Sequence, residues 1–121
     1  MPASLLSPWA RLFRKSPPEP QWVEVAALRQ RMAGADAPLV VDVRGADEFD
    51  GPLGHIEGAL NVPLSELPAH QGRIAAGGRP IVCVCLTDKR SAAAAGQLSA
   101  AGIGPVEVLR GGMKAWREAD I

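Results

Sequence analysis

A chain of 121 residues, 47% of them hydrophobic, has the size of one domain with a core of its own, needing neither disulfide nor metal staples. Thirteen basic and thirteen acidic residues cancel, so no global field steers the chain toward nucleic acid. No apolar run approaches the roughly 20 residues that span a bilayer. The charge is uneven: residues 1–18 hold Arg11, Arg14 and Lys15 and no acid, a sum of +3, and the remainder carries −3. Two cysteines in a chain with material for a core read as free thiols in a reducing compartment, with the cytoplasm as the expected location.

Residues 1–20 form an arm apart from the domain expected over 21–121. Pro2, Pro8, Pro17, Pro18 and Pro20 punctuate it, and 17–20 has the composition of a linker. Ser7 and Pro8 suit the N-cap and first position of a short amphipathic helix, with Trp9, Leu12 and Phe13 on one face. Contact with a membrane surface or a partner is one use for such a helix, and a flexible arm is the plainer reading. Its basic, acid-free composition leaves organellar targeting open, whereas a secretory signal fits badly.

Val25, Leu28 and Met32 recur at helical spacing, which predicts a helix over 24–33 ended near Gly34. Leu39–Val43 is a β-branched run and the best strand of the first half. Residues 45–58 are rich in turn formers, with a short helix over Ala46–Phe49. Ala59–Val62 reads as a strand closed by Pro63, and Ser65 as the cap of a short helix. Pro80–Cys85 is the second strong strand. Ser91–Ala101 is a helix by alanine content, ended at Gly102, and Pro105–Leu109 is a third strand before a last helix over 113–118. Strands alternating with helices predict an α/β fold of three layers, a mainly parallel sheet of about five strands flanked by helices. Functional loops of such sheets lie at the carboxyl ends of the strands, where Cys85 and the Asp42–Arg44 segment stand.

Cys85 closes a buried strand and opens the polar stretch Leu86, Thr87, Asp88, Lys89, Arg90, Ser91, with a helix behind it. Loop N–H groups and a helix N-terminus favour anionic sulfur. For a thiol in general, a pKa drop of roughly two units raises the thiolate fraction about 25-fold while nucleophilicity falls about 8-fold. The net gain is only about threefold, so the loop is expected to act mainly as a pre-organised cradle for a bound anion. Asp88 opposes that role if it points inward, and is expected to point out.

The segment from Cys85 to Arg90 and Ser91 resembles the active-site loop of the rhodanese family. Val40–Arg44 with Glu48 and Phe49, Gly54–Ala59 followed by Asn61–Pro63, and Gly111–Trp116 resemble that family's other motifs in the same order. The resemblance runs from about Trp22 to Trp116. It implies a rhodanese-like fold and a sulfurtransferase that moves a sulfane sulfur from thiosulfate or another persulfide donor to a thiophilic acceptor. Cys85 would be the nucleophile and persulfide carrier, the N–H groups of residues 86–91 would line the cradle, and Arg90 would brace the loop or meet the anion. The implied partners are a small anionic sulfur donor and a thiol or protein acceptor, with no cofactor. Within the loop there is no glycine, and Leu86 rather than a basic residue follows the cysteine.

Arg44 is a candidate for attracting the anionic donor. The plainer alternative is structural, with Asp42 bonded to nearby backbone and Arg44 bridged to Glu48 or Asp47. His55 reads as a proton donor or, more simply, as a hydrogen-bonded turn residue. Cys83 shares a strand face with Cys85 at about 6.5–7 Å between Cα atoms, at or beyond disulfide range, and suits a packed core thiol. With His55 and His70 the only histidines, a zinc site lacks ligands. Two rivals remain: an inactive rhodanese-like interaction module, and a cysteine phosphatase or arsenate reductase, whose loops are one residue longer. Deleting residues 1–20 is expected to lower the melting temperature by less than about 4 °C. A larger drop in a thermal scan would show that the arm belongs to the folded unit.

Overall fold

The computed structural model describes residues 19–120. The N-terminal arm with its expected helix therefore lies outside the described residues up to Pro18. The elements, in chain order, are β1 (Trp22–Val23), α1 (Val25–Met32), β2 (Leu39–Asp42), α2 (Ala46–Phe49) and β3 (Leu60–Asn61). A 3-10 turn over Leu64–Glu66 runs into α3 (Leu67–Ala75), followed by β4 (Ile81–Val84), α4 (Lys89–Ala100), β5 (Val106–Leu109) and α5 (Gly112–Glu118). All strand pairs are parallel, in the order β1-β5-β4-β2-β3.

The central strands β2 and β4 are apolar runs because both of their faces are covered. Val41, Cys83 and Cys85 point to one side, where they meet Leu67 and Ile74 of α3 and Ala94 and Leu98 of α4. Val40, Val82 and Val84 point to the other, against Leu28 of α1 and Met113 and Trp116 of α5. Side-chain alternation along two strands thus builds both halves of a three-layer core. The register Val41 opposite Cys83 and Asp42 opposite Val84 brings the carboxyl ends of β2 and β4 to one level.

Three differences from the sequence-based expectation have simple causes. β1 was not anticipated, because two residues carry no periodicity; it forms by pairing Trp22 with Val108 and Val23 with Leu109. Ser65 lies inside the 3-10 turn and caps nothing, while Pro68 occupies the first turn of α3, where its missing N–H costs little. Helix α4 begins at Lys89 rather than Ser91, which shortens the loop after Cys85. Trp116 is buried and Trp22 half-buried, each under a guanidinium, Arg29 at 4.0 Å and Arg110 at 4.5 Å from the ring centres.

Burial first, and the neighbouring Cys85 sulfur second, push the Cys83 thiol up to about 12 from an ordinary 9.0. The stability tied to this neutral thiol is fully present below the unfolded value near 9 and is lost as pH rises toward about 12, because only the unfolded chain ionises in that window. Denaturation midpoints should therefore fall above pH 9, and fall less steeply in Cys83→Ala. Parallel slopes for the two proteins would remove Cys83 as the cause.

Candidate active site

Cys85 follows β4 directly, at the level where β2 ends. The backbone that leaves it is turned by α5. The N–H of Met113 donates to the Cys85 carbonyl at 2.9 Å, and the N–H of Lys114 donates to the Leu86 carbonyl at 3.0 Å. Gly112 makes this approach possible. Its φ is +57°, and a Cβ there would fall on the carbonyl oxygens of Cys85, Leu86 and Thr87. In a planar trans peptide the N–H points opposite to the C=O. The carbonyls of Cys85 and Leu86, held on α5, therefore turn the N–H groups of Leu86 and Thr87 away from that helix, where no backbone acceptor among the described residues takes them.

Ser91, on the first turn of α4, closes the ring. Its N–H donates to Cys85 Sγ at 3.3 Å, and its Oγ lies 3.2 Å from the same sulfur while donating to the Asp88 carbonyl at 3.1 Å. The cysteine is 1% exposed. It is thus recessed beneath the loop, deeper than the strand-end position suggested, with the Ser91 N–H meeting its sulfur.

Two ion pairs flank the loop. Arg90 meets Glu48 of α2 through two bonds, Nη1 to Oε1 at 2.7 Å and Nη2 to Oε2 at 3.0 Å. The hydrogen bond from Arg90 holds the Glu48 carboxyl below its usual range, and the bond to Glu48 raises Arg90 in return, with the Cys85 sulfur adding to that rise. Of the two roles expected for Arg90, the bridge to Glu48 corresponds to bracing the loop.

The reading of Arg44 as an anion-attracting group is corrected by its surroundings. It is 1% exposed, and its guanidinium is consumed inside the fold. Nε donates to Asp42 Oδ1 at 2.9 Å, Nη2 donates to Asp42 Oδ2 at 2.8 Å and to the Gly54 carbonyl at 2.7 Å, and Nη1 donates to the Glu48 carbonyl at 3.1 Å. Its acidic partner is Asp42, not the Glu48 or Asp47 carboxylate, because the two carboxylate oxygens of Asp42 face its fork across two residues. A buried pair of this kind, once hydrogen-bonded, is costly to break from either side.

His55 is a turn residue. Its ring stacks on Phe49 with centroids 3.6 Å apart, and Nδ1 lies 2.9 Å from the Phe49 carbonyl. Asn61 had no assigned role in the sequence, yet its Nδ2 donates to the carbonyls of Asp42 at 3.0 Å and Arg44 at 2.9 Å, fixing the end of β2. Its place just ahead of Val62 and Pro63 was the only signal. Asp88 is half-buried and its side chain makes no hydrogen bond among the described residues, and Thr87 and Lys89 are exposed. Among the described residues no three His, Cys, Asp or Glu side chains converge where they could hold a metal ion.

The chain and its fold are similar to known proteins. The family model of the rhodanese-like domain matches residues 24–119. An uncharacterized protein of Bacillus subtilis, YqhL, is 38% identical over 84 residues, 69% of this chain and 64% of its own. The thiosulfate sulfurtransferase GlpE of Shewanella oneidensis is 37% identical over 90 residues, 74% of this chain and 86% of its own. Among solved structures, a rhodanese-related protein of Thermoplasma volcanium superposes with a TM-score of 0.70 at 29% identity, covering 82% of this chain and 92% of the other. The chain spans only 64% and 50% of the lengths of the two uncharacterized relatives it matches.

Gly112→Ala is expected to destabilise the protein by about 2–5 kcal/mol in urea titration, combining a strained φ with an overpacked contact. The same change should make Cys85 markedly more reactive to iodoacetamide as the loop loosens. A stable variant with unchanged labelling would show that the loop carbonyls are not held by α5.

Proposed function

The chain belongs to the rhodanese-like domain family, and from that premise we propose that it is a sulfurtransferase that carries a sulfane sulfur as a persulfide on Cys85. The observation that carries this reading is the setting of Sγ: the N–H and hydroxyl of Ser91 lie at 3.3 and 3.2 Å, beside a loop whose Cys85 and Leu86 carbonyls are bonded to α5, leaving its own N–H groups free for an anion. Such a setting suits negative charge on a small, soft atom.

In the first half-reaction the Cys85 thiolate attacks the outer sulfur of a donor. Its electron pair forms the new S–S bond, and the donor's S–S bond breaks with its pair leaving on the sulfite, sulfinate or thiolate. The terminal persulfide sulfur then bears the charge that the loop N–H groups face. In the second half-reaction a thiolate or cyanide attacks that sulfur, and the pair of the breaking S–S bond returns to Cys85. Main-chain dipoles fixed by folding need no reorganisation during either step, which is where such a cradle lowers a barrier. The Ser91 hydroxyl can turn from the Asp88 carbonyl to the sulfur when the sulfur becomes anionic.

The proposed donors are thiosulfate or another sulfane compound, and the acceptor a small thiol or a protein thiol. Both cysteines are free, which fits a reducing cytoplasmic setting. No helix of the described residues is long and apolar enough to cross a membrane. Relatives named as sulfurtransferases at 37% and 34% identity support the same activity.

Incubation with a sulfane donor should add the mass of one sulfur atom to the intact protein. A thiol reductant should remove it, Cys85→Ser should abolish it, and Cys83→Ser should retain it. A wild-type protein that gains no sulfur from any sulfane donor would overturn the assignment, and complete loss in Cys83→Ser would shift the chemistry to the cysteine pair.

A further inference from the structure

The sulfurtransferase reading leaves the donor class open, and the side chains at the loop mouth bear on it. Cys85 is 1% exposed, so a donor can reach Sγ with little more than its sulfane sulfur. The leaving group must remain outside, against the exposed side chains of the loop. Those are Leu86, Thr87 and Lys89, and Leu86 is 39% exposed, the one large hydrophobic side chain so placed among the described residues.

The charge at this mouth is nearly balanced. Arg90 is tied by both nitrogens to the Glu48 carboxylate at 2.7 and 3.0 Å. Arg44 is inside the fold, paired with Asp42 at 2.8 Å. Lys89 has no carboxylate partner among the described residues, but Asp88 stands next to it. Side chains therefore contribute roughly equal positive and negative charge, and the attraction left for an anion is that of the recessed amides. Those amides hold the transferred sulfur and not the leaving group. A dianion would place its second charge beside apolar Leu86, where the one unbridged cation, Lys89, is offset by the adjacent Asp88.

We infer that the site selects sulfane donors of a single negative charge with an apolar group next to the sulfur, the class of organic persulfides and thiosulfonates, over dianionic thiosulfate, with Leu86 as the specificity-determining contact. The step balances for this class. The Cys85 thiolate takes the outer sulfur of R–SO2–S⁻, giving the Cys85 persulfide anion and the sulfinate R–SO2⁻, with two negative charges on each side. For an organic persulfide the leaving group is the thiolate R–S⁻. The apolar R group covers Leu86 and removes both from water.

The test compares benzenethiosulfonate with thiosulfate in wild type, Leu86→Lys and Leu86→Gln, all substitutions at an exposed site. Intrinsic leaving-group differences cancel when each donor is compared across variants. At low ionic strength Leu86→Lys should raise kcat/KM for thiosulfate about tenfold and make it fall with added salt, whereas the wild-type rate depends little on salt. Leu86→Gln should lower the ratio of kcat/KM for benzenethiosulfonate to that for thiosulfate about three- to tenfold. Donor ratios that stay constant across the three proteins would overturn the inference while leaving sulfur transfer intact. If neither donor loads the wild type, the sulfurtransferase reading fails and this inference with it.

Discussion

Two main-chain hydrogen bonds, from Met113 and Lys114 to the carbonyls of Cys85 and Leu86, decide what the loop can do. A segment this short has one choice of direction for its peptide dipoles. With the Cys85 and Leu86 carbonyls taken by the start of α5, the N–H groups of Leu86 and Thr87 point away from that helix. The arrangement needs α5 to approach within hydrogen-bond distance of the loop, and only a residue without Cβ at position 112 permits that. The packing of Met113 and Trp116 into the core then holds α5 where those bonds require it. Core, helix and loop are thus one mechanical unit, and the orientation of the amides is its product.

The ion pairs around the loop follow a different logic. Asp42 with Arg44 and Glu48 with Arg90 are both closed pairs, and each stabilises a segment rather than a ligand. The Asp42 pair ties the end of β2 to the turns at Glu48 and Gly54, with Asn61 fastening the same backbone from β3. The Glu48 pair fastens α2 to the first turn of α4. Since Glu48 is held below the usual carboxylate range, this brace persists above its ordinary value and loosens only as pH falls through the lowered one. Neither pair leaves its charge free for an anion, so the proposed cradle draws on main-chain dipoles fixed by folding.

Much of this was legible in the amino-acid sequence, for reasons that differ by element. The strands around Val41 and Val82 are visible because burial on both faces demands apolar runs rich in β-branched residues, and the one around Val108 keeps that signal on either side of Glu107. The short helix over Ala46–Phe49 stands out against the turn formers around it. β1 was invisible, since two residues acquire strand character only by lying beside β5. Cys85 could be located from the change of texture after a buried strand, and a cradle of loop amides is expected there, but the contact that holds the loop carbonyls depends on Gly112, distant in sequence and adjacent in space. Arg44 misled for a physical reason: an arginine near a strand end is expected in solvent, and its burial depends on an acceptor set, Asp42 together with the Glu48 and Gly54 carbonyls, that only the folded turn assembles.

The central claim is that the main chain of residues 86–91 holds the anionic outer sulfur of a Cys85 persulfide. The most direct measurement is the amide ¹H–¹⁵N spectrum of the protein before and after stoichiometric sulfur loading. The account requires the N–H signals of Leu86, Thr87, Asp88 and Ser91 to move downfield together, as donors to a new anion, while β1 and α1 stay in place. Loading that leaves those amides unmoved, or that shifts Arg44 and Arg90 side-chain signals instead, would contradict it.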